Sequence, residues 1–216
     1  MLTVCCVWVE ANVPFSVDYV TRLRSMVGRN LSRPSRFVCL TDRPHLLTGV
    51  ECIRIPPTDG RYGWWSKLEA FNHANGLRGR CLYLDLDTLI MANLGPIADF
   101  GASFALIPHA GTFVPKNGLA TVPRFNSSVM VWDAGCKETR DLYSSWTPAV
   151  AQRLWGDQDF IAERAPYAAT MPIEWFPRLS QIGSEQIPPS AKVILCKRPK
   201  NVEAAKQYAW VREVWQ

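Results

Sequence analysis

Short apolar runs alternate with amphipathic stretches over the first half of the chain. Four runs have the length of a buried strand, and the last of them, residues 81–84, is the most apolar. The other three cover residues 2–9, 37–40 and 50–55. Strands that alternate with helices favour an α/β domain with a mostly parallel sheet that is flanked by helices.

Two helices are predicted between these strands. The first opens at Pro14 and Ser16. Its inner face carries four apolar residues at helical spacing, which are Val17, Val20, Leu23 and Val27. The second covers residues 65–74 and follows a turn at residues 60–63.

The second half of the chain is less regular. Residues 108–124 contain three Pro and two Gly, which predicts a long surface loop of the kind that forms lids and binding loops. Beyond it the pattern predicts four elements, namely a strand at 126–133, a helix at 138–155 that breaks at Pro148, a helix that Asp157 caps and that ends near Arg164, and a strand at 192–196.

The chain of 216 residues suits one domain that spans residues 1–216, and it carries a formal net charge of +5. Six Arg form a loose basic run near the N-terminus, and they fit either a solvated helix face with its loop or peripheral contact with an anionic membrane. We expect no nucleic-acid partner, because the basic residues are not interleaved with aromatic residues that stack on bases. The six are Arg22, Arg24, Arg29, Arg33, Arg36 and Arg43.

Cysteine usage indicates a reducing compartment. The seven Cys are an odd number and form no CxxC pair, and several fall in apolar runs, which favours buried thiols over disulfides. No apolar run approaches the roughly 20 residues that span a bilayer, and the N-terminus has no basic segment followed by a long apolar one. We therefore expect a cytoplasmic protein without a signal peptide.

Two acids, Asp85 and Asp87, follow the apolar strand at 81–84 in the segment YLDLDT, a DXD motif. Residues i and i+2 lie on one face of a strand, and an open parallel sheet binds ligands beyond the carboxyl ends of its strands. The two carboxylates can therefore reach one hard cation, Mn2+ or Mg2+. Such a cation keeps coordination positions for diphosphate oxygens and acts as a Lewis acid toward a departing diphosphate.

Three further segments carry polar residues that the same edge of the sheet can bring together. Asn126 opens the strand in the segment FNSSVMVWD, and Asp157 and Gln158 open a helix in the segment GDQDF. Lys67 follows two Trp in the segment GWWSKLEAF. The ordered set of YLDLDT, FNSSVMVWD and GDQDF is far more specific than any one of its members.

In their order and spacing these segments resemble the retaining GT-A glycosyltransferases of family 8, the group that includes glycogenin and lipooligosaccharide galactosyltransferases, and their bacterial relatives. The resemblance covers roughly residues 4–200. It implies a Rossmann-like GT-A domain with a nucleotide-binding half at about 1–90 and an acceptor and catalytic half at about 91–216. It also implies an enzyme that transfers a hexose, with retention, from a nucleotide-sugar, usually a UDP-sugar, to a glycan, lipid or protein acceptor.

The resemblance assigns roles to individual residues. The two acids of the DXD motif would bind the metal, usually Mn2+, and Lys67 would lie near the donor diphosphate. Asn126 would contact the donor sugar, Asp157 would hydrogen-bond sugar hydroxyls, and Gln158 would lie beside the anomeric carbon. Because an amide is a poor nucleophile, the implied mechanism is a front-face attack in which the departing diphosphate assists the acceptor hydroxyl.

One departure from the family pattern concerns the third metal ligand. The family has a His in a C-terminal segment of the type VxFHGxPKP, whereas this chain has Cys196 at the His position and Lys197 at a Gly position. A thiolate is a soft ligand that suits Mn2+ poorly. Either the two acids hold the metal with diphosphate and water, or Lys197 and Arg198 supply part of the positive charge, or catalysis is weakened or lost. We expect Lys197 and Lys200 to contact the donor.

Other functions are compatible with the acid pair. A haloacid-dehalogenase-type phosphatase would use Asp85 as nucleophile and Asp87 as acid/base, but Leu89 stands where that motif has Thr or Val. The phosphatase motif also normally follows the first strand of its domain, whereas about eighty residues precede the acid pair here. A catalytically weakened sugar-nucleotide-binding protein would account for the missing His. A sugar nucleotidyltransferase is disfavoured, because its Gly-rich N-terminal phosphate loop is missing. Among the three His, we single out His109, since a residue of the predicted loop could reach the metal.

Overall fold

Among the residues that the structure describes, seven strands form one mixed sheet and two form a small second sheet. The computed structural model describes residues 1–9, 15–55, 63–113, 122–182 and 186–216. The strands are β1 (Leu2–Trp8), β2 (Ser35–Thr41), β3 (Glu51–Arg54), β4 (Arg80–Leu84), β5 (Thr88–Ile90), β6 (Phe104–Phe113), β7 (Val122–Asp133), β8 (Ala169–Thr170) and β9 (Val193–Leu195). The order in the large sheet is β3-β2-β1-β4-β7-β6-β8, and β5 pairs with β9.

Parallel pairing dominates the first half of the large sheet. Strand β1 pairs in parallel with β2 and β4, and β2 pairs in parallel with β3. Strand β7 runs antiparallel between β4 and β6, and the short β8 adds to β6 in parallel. This sheet confirms the predicted α/β class, and it places β4, the strand before the acid pair, in the middle of the sheet.

Helices cover both faces of the large sheet. They are α1 (Val17–Asn30), α2 (Gly95–Ala98), α3 (Lys137–Ser145), α4 (Pro148–Arg153), α5 (Asp157–Arg164), α6 (Leu179–Ile182), α7 (Pro199–Ala205) and α8 (Ala209–Val214), with 3-10 helices at Pro44–Leu46, Gly63–Phe71 and Ile173–Trp175. One core joins α1, α7 and α8 to one face of the sheet, and a second core joins α3, α5 and the 3-10 helix Gly63–Phe71 to the other. Parallel strands buried on both faces need continuous apolar residues, which is why β1 and β4 stand out in the sequence.

Helix α1 confirms the amphipathic pattern. Val20, Leu23 and Val27 are buried against the sheet, and Val17 is half-buried. Ser16 is the residue before the first helical one, and its side chain makes no capping hydrogen bond. The predicted opening at Pro14 lies outside the described residues, as does the turn predicted before Gly63.

The predicted loop at 108–124 was wrong at both of its ends. Strand β6 continues to Phe113 and β7 begins at Val122, while residues 114–121 lie outside the described part of the chain. The pairing of β6 with β7 shifts register between Leu106 and Ile107 and again between His109 and Thr112. Such irregularities interrupt the alternation of apolar and polar residues by which a strand is recognised in a sequence.

The helix predicted at 65–74 is a 3-10 helix that covers Gly63–Phe71. Side chains at i and i+3 lie one above the other in a 3-10 helix. Trp65, Leu68 and Phe71 follow this spacing, and all three are buried in the core. The break that Pro148 predicts is confirmed, because α3 ends at Ser145 and Pro148 is the first residue of α4.

The basic run near the N-terminus makes contacts within the protein. Arg24 and Arg29 donate to backbone carbonyls of Gly49 and Val214, and Arg22 lies over the ring of Trp215. Two further arginines form ion pairs, Arg33 with Asp99 and Arg36 with Glu51. Five of the six arginines thus make contacts that stabilise the fold. None of the described helices is long and apolar enough to cross a membrane.

The cysteine prediction is confirmed for the thiols themselves. All seven are free, and five of them are buried. Burial raises the pKa of the Cys5 and Cys6 thiols well above the usual range, so both stay protonated.

The core residue Trp132 should be among the most costly to truncate. It is fully buried on β7, and its ring meets Phe71 edge to face at 5.4 Å. We expect Trp132→Ala to lower the free energy of unfolding by about 3–5 kcal/mol, measured by urea denaturation. Tyr167→Ala is the control, because Tyr167 is 97% exposed and its truncation should change stability by less than about 0.5 kcal/mol. Equal effects of the two substitutions would contradict this account of the core.

Candidate functional site

The acid pair lies where β4 leaves the large sheet. The backbone N–H of Asp85 donates to Ser128 O on the neighbouring β7 at 2.8 Å. The hydroxyl of the buried Thr88 donates to Asp85 O at 2.7 Å, and Thr88 then begins β5. Asp85 and Asp87 are therefore held on a short turn that is fixed at both of its ends.

A buried lysine joins one of these acids to helix α5. The Nζ atom of Lys67 lies 3.0 Å from Asp85 Oδ1 and 3.4 Å from Asp157 Oδ2. It also donates to Ser127 Oγ at 2.9 Å, and that hydroxyl donates to Asp157 Oδ2 at 2.5 Å. Burial lowers the pKa of the Lys67 ammonium, but the charges of Asp157 and Asp85 outweigh it, so that the pKa is raised overall.

Tyr83 completes the surroundings of Asp85. Its hydroxyl donates to Asp85 Oδ1 at 2.8 Å, and Lys67 Nζ lies 5.2 Å from the centre of its ring. Burial and the Asp85 charge raise the pKa of Tyr83 well above its usual range. Lys67 and the Tyr83 hydroxyl both contact Oδ1 of Asp85, so a cation could bind Oδ2 without displacing either of them.

Asp87 lies in a different environment. It is buried, and burial together with the charge of Asp85 raises its pKa to about 7. The thiol of Cys196 lies close enough that burial and the Asp87 charge both raise its pKa. The residue in the place of the family's His is thus a protonated thiol, which is a poor ligand for a hard cation.

Two cavities adjoin the acid pair, and they bring the predicted site residues together. The larger has a volume of about 820 Å³ and is lined by Lys67, Asp85, Asp87, Asp157, Gln158, Lys197 and Lys200. The smaller has a volume of about 690 Å³ and is lined by Asp85, Asp87, Asn126, Gln158 and Lys197. The eight residues that the sequence assigned to the metal, the donor or catalysis therefore line one cavity or both. The acid pair, Gln158 and Lys197 line both, and so does His109.

The predicted helix start at Asp157 needs a correction. Gly156 is the residue before α5, and Asp157 is the first helical residue, with its side chain directed at Lys67 and Ser127 instead of at the backbone of the helix. Asn126 has its side-chain oxygen turned to its own strand, where it accepts from the N–H of Ser128 at 2.8 Å. The amide nitrogen of Asn126 is thus the group that it can offer to a ligand.

The backbone at Lys197 has an unusual conformation. Among the described residues, Lys197 is the non-glycine residue with a left-handed conformation, at a φ of 69°. This is a conformation that favours glycine, and it falls at the position where the family has Gly. Lys197 lines both cavities in this conformation.

Sequence reasoning missed three polar residues of the site. Ser127 and Tyr83 could have been found, since each stands beside a residue that was singled out, and Tyr83 shares a strand face with Asp85. Arg178 gave no signal, because it reaches the site through a bridge between its backbone and Leu195 on β9. Its guanidinium lies 2.5 Å from Nε2 of His109, and both residues line the smaller cavity.

Comparison with known proteins gives a structural match only. No family model and no curated protein sequence matches the chain. Among solved structures, the chain is similar to the galactosyltransferase LgtC in complex with donor and acceptor sugar analogues, with a TM-score of 0.63 and 13% identity over 96% of each chain. The chain has the GT-A fold. At this identity the likeness establishes a common architecture.

The acid pair of this GT-A chain fits a divalent cation. Oδ2 of Asp85 and the carboxylate of Asp87 are hard oxygen ligands. A cation would offset both the burial of the Asp87 charge and its repulsion by Asp85, which together raise the pKa of Asp87. Within the described part of the chain, no group of three or more His, Cys, Asp or Glu comes together. Any cation bound here would therefore complete its coordination with water or with ligand oxygens.

Asp87 should destabilise the metal-free protein at alkaline pH. An acid whose pKa is raised by folding binds protons better in the folded state, so stability falls as pH rises and the full cost is present above about pH 7. We expect Asp87→Asn to raise the free energy of unfolding by about 1–3 kcal/mol at about pH 8 and by much less at about pH 5, measured in urea. A loss of stability at the higher pH would contradict the environment described for Asp87.

Lys67 should be the most costly charge to remove. Lys67→Met leaves two carboxylates without their buried partner, and we expect it to lower the free energy of unfolding by about 3–5 kcal/mol. Lys137→Met is the matched control, because Lys137 pairs with Asp141 at the surface and should contribute less than about 0.5 kcal/mol. Urea denaturation of both variants near neutral pH is the measurement, and a Lys67 effect no larger than that of Lys137 would refute a compensating role.

Proposed function

We propose that the protein is a metal-dependent, retaining glycosyltransferase that moves a hexose from a UDP-sugar to an acceptor. The observation that carries the proposal is the position of the acid pair at the junction of two cavities, with Gln158 lining both. A transferase needs room for two ligands that meet at one reacting centre. The galactosyltransferase LgtC, which shares the fold, is described in complex with both a donor and an acceptor sugar analogue.

The larger cavity suits the donor. Its lining includes Val7, Trp8 and Val9, at the carboxyl end of β1, where open sheets of this type bind nucleotides. Lys197 and Lys200 line the same cavity and would face the negative charge of a diphosphate. The proposed nucleotide-binding half, residues 1–90, would thus contact the nucleobase and the metal. Residues 91–216 would supply the basic side chains that face the diphosphate as well as the catalytic residues.

The metal would be held by Asp85 and Asp87, as Mn2+ or Mg2+. When bound, it would neutralise charge on the departing diphosphate as a Lewis acid. Lys197 and Arg198 both line the larger cavity and would add positive charge from the side where the family has its His. A leaving group stabilised in this way by fixed charges is commonly the largest catalytic contribution.

Gln158 and Asp157 would work as a pair at the start of α5. The Asp157 carboxylate is held by Lys67 and Ser127, so it can present a fixed oxygen to sugar hydroxyls. Gln158 follows it directly and lines both cavities, which would put its amide beside the anomeric carbon and Asn126 on the other side. A neutral amide is a weak nucleophile, and this favours attack by the acceptor on the face from which the diphosphate leaves.

A sugar-nucleotide-binding protein with weak or no catalysis is the second candidate. The observation that favours it is the buried, protonated thiol of Cys196 near Asp87, in place of a metal ligand. A phosphatase that uses Asp85 as its nucleophile is disfavoured, because Tyr83 and Lys67 already hold one oxygen of that carboxylate. The free thiols fit the predicted cytoplasmic location, which stays a prediction, as does peripheral contact with a membrane.

Release of UDP from UDP-hexoses is the direct test. With Mn2+ present, the wild-type protein should release UDP slowly without acceptor, and Asp87→Asn should lower the rate by at least about 100-fold, since half of the protein's metal ligands are lost. Asp141→Asn is the matched control, because Asp141 is an exposed acid on α3 that lines neither cavity, and its rate should equal that of the wild type.

Three results would contradict the proposal in different ways. Tight UDP binding without turnover across a panel of acceptors would favour the binding protein. Release of phosphate from p-nitrophenyl phosphate, without turnover of UDP-sugars, would favour the phosphatase. A wild-type protein whose melting temperature responds to no nucleotide, with or without Mn2+, would remove the donor site altogether.

A further inference from the structure

Two indole rings stand exposed at the rim of the larger cavity. Trp64 is 62% exposed and Trp155 is 65% exposed, and both line this cavity. Tryptophan is highly buried on average in folded proteins, and exposed apolar surface beside a cleft commonly marks a binding site. The proposed roles of the acid pair and of α5 make no use of either ring.

The position of Trp64 follows from the 3-10 helix. Residues at i and i+3 lie one above the other in such a helix, so Trp64 lies one turn away from Lys67 on the same side. Lys67 is buried at the floor of the cavity, 3.0 Å from Asp85. The Trp64 ring therefore stands at the solvent side of the same wall, above the charged network.

Gly156 connects the two rings. A Cβ atom at Gly156 would lie 3.4 Å from both Cδ1 and Nε1 of Trp64, so the edge of that indole rests on the Gly156 backbone. The φ of Gly156 is −174°, an extended conformation that any residue adopts. Trp155 precedes it directly, and its backbone N–H donates to Asp159 in the first turn of α5 at 3.1 Å.

Trp8, at the end of β1, also lines this cavity, but it differs from the other two tryptophans in exposure. Its ring is buried and its Nε1 donates to Phe15 O at 2.9 Å, whereas Trp64 and Trp155 are exposed. If a nucleobase occupies the β1 side, as the proposed function has it, the second aromatic surface is left for a saccharide.

We propose that Trp64 and Trp155 form a stacking subsite for a saccharide ring of the acceptor. A pyranose has an apolar C–H face that packs on an indole, and its hydroxyls suit the carboxylate of Asp159 and the amide of Gln158, which line the same cavity. The inference rests on the proposed function, and it commits the acceptor to a glycan.

The subsite is tested by saturation-transfer NMR on the full chain with UDP and Mn2+ present. The probes are methyl hexosides and lactose. Trp64→Ala and Trp155→Ala should each weaken saccharide binding by about tenfold, while the Kd for UDP, measured by calorimetry, changes less than about twofold. Tyr167→Ala, which removes an exposed aromatic ring that lines neither cavity, should change nothing.

Each adverse result has a distinct meaning. A tenfold loss of UDP affinity in Trp64→Ala would overturn the subsite, because the ring would then stack on the base. UDP binding without saccharide binding, or unchanged saccharide affinity in both Trp variants, would overturn the subsite and leave the proposed function standing. No UDP binding by the wild-type protein would refute the proposed function, and the subsite with it.

Discussion

One buried ammonium group organises the site. Lys67 comes from a 3-10 helix, and its charge compensates Asp85 after β4 and Asp157 at the start of α5. A buried charge without a partner costs several kcal/mol, so these three elements are stable together in one arrangement. Lys67 compensates Asp87 only in part, and burial together with the charge of Asp85 raises the pKa of Asp87 to about 7. The fold thus holds Asp85 in place with a lysine and leaves the charge of Asp87 only partly compensated.

The sequence predicted the central strands of the sheet better than the elements around them. Strands β1 and β4 are buried on both faces, so their apolar runs are continuous. The acids that follow β4 therefore had to lie beyond the carboxyl end of a central strand. The helix predicted at residues 65–74 is a 3-10 helix, and the sequence did not show this type because apolar residues at i and i+3 share a face in both kinds of helix. Strand β6 was hidden by Pro108 and by two shifts of register, which break the alternation that marks a strand.

The residues of the candidate site also differ in how well the sequence predicted them. Residues on regular elements, such as Asp157 and Gln158 at a helix start, could be placed from their neighbours along the chain. Arg178 could not, because only the bridge between its backbone and Leu195 brings it near His109. The C-terminal segment reaches the acid pair in a comparable way, since Thr88 pairs with Leu195 and Cys196 follows directly. Pairing between segments distant in sequence leaves no local signal in either one.

The left-handed backbone at Lys197 has a consequence for how this chain can change. A bulky residue in that conformation carries roughly 1 kcal/mol of strain, which glycine would relieve. The same replacement would withdraw a positive charge from the boundary of the two cavities. Conformational stability therefore favours glycine at this position, whereas the positive charge between the cavities requires a basic side chain.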